Sequence, residues 1–254
     1  MAASAKQDAF VGRVEAVLSS ARLHRFAAST TERRWERLAR YTWNVSICEA
    51  FYPLLHFLEI VLRNRVYDHG ASSYPLHGTR HIASWLDADP PHLTPYAVQE
   101  VENAKKKLFR SAKRPGALEH RSGAYNGGDL VAALDFGFWT GLFSRHYLFQ
   151  NSRDRRLWPH GFTQVFPYAP SRIALPTISG RLNGLRQLRN RAFHHEPIWA
   201  RPNLAGDRDN ILQLLDWMSP ETARVARATE RLSEVVSDDY RRCLRARIYQ
   251  ETRR

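Results

Sequence analysis

The segment Gly184–Trp199 reads GLRQLRNRAFHHEPIW and crowds guanidinium, amide and imidazole groups into one short stretch. An imidazole gives and takes protons near neutral pH. A guanidinium stabilises charge that builds on a phosphate in a transition state. An amide can orient either group. Read as a helix, Leu182, Leu185, Leu188 and Ala192 form one apolar stripe. Arg186, Asn190 and His194 then fall four residues apart on the opposite ridge, where neighbouring side chains can touch. Arg189 sits beside Asn190, and His194 and His195 fall at the helix end, before the break that Pro197 imposes. Such a set suits attack on a phosphodiester without a metal. The sequence shows no carboxylate cluster of the kind that holds a divalent ion, and Cys48 and Cys243 are too few for a cysteine-based metal site. No cofactor is expected.

Spacing alone carries little information here. An arginine is followed five to seven positions later by histidine at six places, including Arg114/His120 in a Pro-Gly loop. Random placement gives roughly four. Requiring asparagine directly after the arginine leaves Arg63-Asn64…His69 and Arg189-Asn190…His194. His69 reads as a helix-end residue. Only the second site runs on into His-His-Glu-Pro, which makes Arg189–His195 the candidate site.

Arg189-Asn190-x3-His194 resembles the Arg-x4–6-His signature of the HEPN superfamily (higher eukaryotes and prokaryotes nucleotide-binding). The wording RNRAFHHEPIW is similar to that of the Abi-like, or abortive-infection, family. Glu59–Asn64 (EIVLRN) resembles that family's upstream Glu-x3-Arg-Asn, and LDFGFWTGLF (134–143) and LLDWM (214–218) resemble further landmarks. The resemblance runs from about Trp35 to the last helix. It implies an all-α, HEPN-like helical bundle acting as a metal-independent endoribonuclease, in which the ribose 2′-hydroxyl attacks the adjacent phosphate. His194 would shuttle the proton, with His195 a second candidate; Arg189 would neutralise the phosphorane, and Asn190 would orient His194 or the phosphate. Arg186, Arg63 and Glu59 would contact substrate, unless Glu59 and Arg63 form an intrahelical ion pair. Two such signatures facing each other imply a homodimer, a pseudo-dimer using Arg63 and His69 being the weaker alternative. An antiphage or toxin role implies restraint by a partner, either a noncoding RNA or an antitoxin protein. Two other readings stay open: an RNA-binding protein that holds a structured noncoding RNA without cutting, and a helical interaction protein without nucleic acid.

The rest of the sequence must position this segment. Its 254 residues suffice for a proper core, and 43% hydrophobic against 25% charged residues excludes a disordered chain. The net charge of +13, with 33 arginines among 38 basic residues, points to an anionic partner such as RNA. The low cysteine count suggests a reducing compartment. No long apolar run and no signal-peptide pattern in MAASAKQDAFVGRVEAV lead to the expectation of a cytoplasmic protein without a membrane span.

Periodicity predicts helices nearly throughout, in a single domain over residues 1–254 with long connecting loops and an N-terminal helical extension over 1–28. Phe10, Val14, Val17, Leu18 and Ala21 mark the first helix. Ser29 and Glu32 form a capping-box pattern for the second, Pro53 fits the first turn of a third that either stands alone or joins the second through a kink, and His69-Gly70 ends it. Helices are expected over about 94–112, from Asp129 through an almost wholly apolar run, over about 176–195 and about 207–217, and from Pro220 through Val235 to a basic tail. A loop insertion is expected over 113–128. Trp139, Phe136 and Phe138 read as core.

Overall fold

The structure is a computed structural model that describes residues 2–74, 84–87, 92–112, 127–147, 157–158, 162–171 and 173–254. Among them it has helices α1 (Ala2–Leu18), α2 (Ser20–His24), α3 (Arg34–Ser73), α4 (Pro95–Ala112), α5 (Gly127–Ala133), α6 (Phe136–Gly141), α7 (Leu175–Phe193), α8 (Leu204–Met218), α9 (Pro220–Ala228), α10 (Leu232–Val235) and α11 (Asp238–Glu251). Two 3-10 turns lie at Trp85–Asp87 and Arg145–Tyr147, and no strand occurs among the described residues. The fold is all-α. Most of the expected 113–128 loop lies outside the described residues, and Gly127 and Gly128 already belong to α5.

The chain divides into two compact units. The first comprises Met1–His56, Gln187–Leu212 and Arg224–Arg254; the second comprises Phe57–Arg186 and Gln213–Ala223. In the first, Val11 of α1 packs with Trp35, Leu38 and Ala39 of α3, and Ile248 and Tyr249 of α11 close over them. Residues 7–26 thus contribute core, with Leu23 and Phe26 also buried. Val17, expected inside, is 86% exposed, because the buried face of α1 runs through Val11. A buried hydrogen bond from Gln7 Nε2 to Thr252 Oγ1, 2.7 Å long, ties α1 to the end of α11.

Glu32 does not form the expected capping box. Its carboxylate accepts from the Ala28 amide and from the Arg40 guanidinium, and α3 starts only at Arg34. Burial works to raise the Glu32 carboxyl, but Arg40, the Ala28 amide and Arg37 together hold it below the usual carboxylate range.

The second and third helices are joined, one of the two arrangements expected, into one 40-residue helix with Pro53 inside it. Proline removes one donor, yet the apolar stripe of Ile47, Phe51, Leu54, Leu55, Leu58 and Leu62 is continuous and buried on both sides of it. Two other expectations about α3 are corrected. His69 and Gly70 do not end the helix. His69 is 3% exposed; its ring nitrogens meet Gln164 Oε1 at 3.1 Å and the Leu157 carbonyl at 3.3 Å, and the ring stacks on Trp158. Finally, α3 contains an 18-residue window with mean hydropathy 1.6, long and apolar enough by composition to cross a membrane, where no such run was expected. In the structure 39% of that window is buried inside the protein.

Gly70 serves packing. A Cβ there would lie 2.1 Å from the Trp85 ring, which is fully seated and donates from Nε1 to the Tyr67 carbonyl at 3.0 Å. Gly70→Ala must displace that ring. It is expected to cost about 3 kcal/mol, measurable by urea denaturation; a change below about 0.5 kcal/mol would contradict the packing.

The apolar run after Asp129 is not one helix. Asp135 accepts from the Phe138 amide at 2.8 Å and caps a separate α6. Trp139, Phe136 and Phe138 are buried, as expected for core. The last helix is likewise split: α9 ends at Ala228, α10 is a single turn, and the expected basic tail is α11, capped by Ser237.

Candidate functional site

The apolar stripe of α7 is buried as the periodicity predicts, with Leu182, Leu185, Leu188 and Ala192 all inside. Its end is built differently from the expectation. The helix stops at Phe193, so His194 and His195 lie in the turn beyond it. The Glu196 amide donates to the Arg191 carbonyl at 2.8 Å, and the His195 amide donates to the Ala192 carbonyl at 3.2 Å. This is a Schellman termination, completed before Pro197.

His195 holds the left-handed position of that motif, at φ 59°. Glycine is the usual occupant, because a side chain there is strained. His195→Gly is therefore expected to raise stability by about 0.5–1 kcal/mol in thermal or urea unfolding. A loss of stability would show that the imidazole is held by contacts stronger than the strain.

The turn is fixed from outside by a residue that no sequence motif marks. Asn44 on α3 is 3% exposed. Its Oδ1 accepts from the Ile198 amide at 2.7 Å and the Trp199 amide at 3.0 Å, while its Nδ2 donates to the Glu196 carbonyl at 3.4 Å. Arg22 adds a 3.3 Å hydrogen bond to the His195 carbonyl, and Arg191 donates to the Pro197 carbonyl at 2.8 Å. The HHEPIW segment is thus a pinned turn. Its two imidazoles are exposed.

The structure does not assemble the expected ridge of Arg186, Asn190 and His194. Arg186 donates back to Asn183 Oδ1 at 2.7 Å, one turn towards the N-terminus. His194 has left the helix, and Asn190 is half-buried. Arg189 lies with its guanidinium carbon 4.6 Å from the centre of the Phe193 ring. Phe193 is nearly parallel to Tyr52 of α3, with ring centres 5.7 Å apart, and Tyr52 is in turn nearly parallel to His56 at 6.2 Å. Glu59 and Arg63 belong to the second unit.

Beside these rings runs a groove of about 540 Å³. Tyr52, Phe193, His195, Cys48, Pro53 and Arg231 are among its walls. Burial pushes the Cys48 thiol up to about 11, against the lowering effect of the Asn44 amide, so it lines the groove as a neutral, weakly polar group. Arg231 reaches Glu49 at 3.3 Å at the exposed surface. Among the described residues no group of three or more His, Cys, Asp and Glu is placed to hold a metal ion.

Comparison with family models, with curated proteins and with solved structures returns no match for this chain. The functional reading therefore rests on the residues themselves.

Proposed function

We propose that this protein is a metal-independent endoribonuclease of HEPN type, acting on RNA as a homodimer. One observation carries the reading. Arg189, Asn190, His194 and His195 share the end of α7, and the two imidazoles stand exposed on a turn that Asn44 pins. An exposed imidazole on a pinned turn beside a cationic helix end is suited to moving the proton of a ribose 2′-hydroxyl, and Arg189 to neutralising the phosphate it attacks. The charge of +13 supports a polyanionic substrate. The resemblance further implies an abortive-infection or toxin role, a cytoplasmic setting and a restraining noncoding RNA or antitoxin.

The test is incubation of purified protein with single-stranded RNA in EDTA. Products with 2′,3′-cyclic phosphate and 5′-hydroxyl ends support the reading. A second reading, an RNA-binding protein that does not cut, is favoured by the stacking of Arg189 on Phe193, a posture for holding rather than for reacting. Salt-dependent RNA binding without product formation would select it.

A further inference from the structure

Large aromatic rings with exposed faces need a reason, since each costs burial that the core could have used. Tyr52 is 54% exposed and Phe193 is 41% exposed. They lie on different helices, separated by 141 positions in sequence, yet their planes differ by only 24°. A ring-centre separation of 5.7 Å exceeds that of a tight face-to-face pair, so the rings are offset rather than superimposed. One end of this row is the Arg189 guanidinium and the other the His56 imidazole. The row borders the 540 Å³ groove, which also receives His195 and Arg231.

We propose that Tyr52 and Phe193, with the groove beside them, form a stacking subsite for an unpaired nucleobase of single-stranded RNA. This deepens the reading above and rests on the protein engaging RNA. Three features favour that occupant. The two rings are nearly parallel and form a short stack that the flat face of any base can join, and stacking of this kind tolerates any sequence. The flanking cations, Arg189 and Arg231, suit the phosphates on either side of the stacked base. Pro53 has no amide hydrogen, so the Glu49 carbonyl lacks its helical donor, and both residues line the groove, where a base amino group could supply one. The subsite also accounts for the posture of Arg189. With its guanidinium carbon over the Phe193 ring, Arg189 sits at the junction between the stacked base and the signature turn.

The experiment compares two fluorescent strands of about 10 nucleotides, both 2′-O-methylated so that neither can supply the attacking hydroxyl. One carries bases and the other is abasic. Wild-type protein is expected to bind the base-bearing strand about tenfold more tightly by anisotropy. Tyr52→Leu and Phe193→Leu, which keep apolar bulk but remove the π face, are expected to abolish that preference, and Tyr52→Trp to retain it. Circular dichroism checks the fold of each variant. Equal binding of both strands by wild type overturns the proposal, as does a preference that survives both leucine variants. If sedimentation shows instead that the leucine variants dissociate a dimer and no base preference exists, the rings belong to a second copy, and the proposal fails. RNA cleavage in EDTA is scored separately. Cleavage without base preference removes the subsite and leaves the nuclease reading; base preference without cleavage does the reverse.

Discussion

Replacing His194 by alanine should lower the rate of RNA cleavage in EDTA by about 10²–10⁴-fold while leaving the fold intact. The side chain is exposed, beyond the end of α7, and its backbone amide already closes on the Asn190 carbonyl at 2.9 Å. Truncating an exposed side chain that leaves the backbone bonds in place should change stability by no more than about 0.5 kcal/mol. Arg189→Ala should slow cleavage by about 10²–10³-fold, the typical loss when one donor to a developing charge is removed. Arg189→Lys should not restore it, because a point charge replaces neither the planar fork nor the stack on Phe193. A strand with a single 2′-deoxynucleotide should resist cleavage at that position only. Cleavage by His194→Ala at the wild-type rate, or cutting of the deoxy position, would refute the mechanism. A His194→Ala chain that fails to fold would instead assign the imidazole a structural role.

The contrast between what sequence showed and what it hid is sharpest along α3 and α7. The stripe Leu182–Ala192 was legible, because helical periodicity is a local property and burial follows it. The position of the histidines beyond the helix was not. Pro197 announces a break, but the chain ends the helix four residues earlier with a Schellman turn that places a histidine at φ 59°, where glycine would have been the readable signal. On α3, proline and a His-Gly pair mimic punctuation. Both are overridden by packing: Pro53 by the continuous Ile47–Leu62 core face, Gly70 by the Trp85 ring that fills its missing side chain. In the segment 129–143, continuous hydrophobicity concealed a cap at Asp135.

The site shows the same division. Arg189, Asn190 and His194 are legible as residue types at a spacing. The side chains around them are not, because each is brought by a distant stretch. Tyr52 meets Phe193, and Asn44 meets Ile198, across most of the chain. The one local hint of Asn44 was its company: an amide inside the apolar run RYTWNVSICEAF, where asparagine is a poor helix former and needs another use.

That use makes Asn44→Ala the second large effect. The substitution removes the acceptor of the Ile198 and Trp199 amides and the donor to the Glu196 carbonyl. Ile198 is buried, so its amide would be left without water or protein to bond, and Trp199 is half-buried. Two stranded amides cost about 1–3 kcal/mol each when fully buried; partial exposure of the second brings the expected loss to about 2–4 kcal/mol. Asn44→Asp keeps both acceptor bonds and loses the donor to Glu196, at the cost of placing a charge in the interior, so it should still hold the turn. Hydrogen exchange separates the two variants: the Ile198 and Trp199 amides should lose protection in Asn44→Ala and keep it in Asn44→Asp. Because the turn that carries His194 and His195 is the one released, cleavage by Asn44→Ala should fall by up to about 10²-fold even where the protein remains folded, since misplacing a reacting group by an ångström has that effect. Unchanged stability with both amides still protected would mean that the turn is held by the Schellman bonds and Arg22 alone, and that the imidazoles owe nothing to α3.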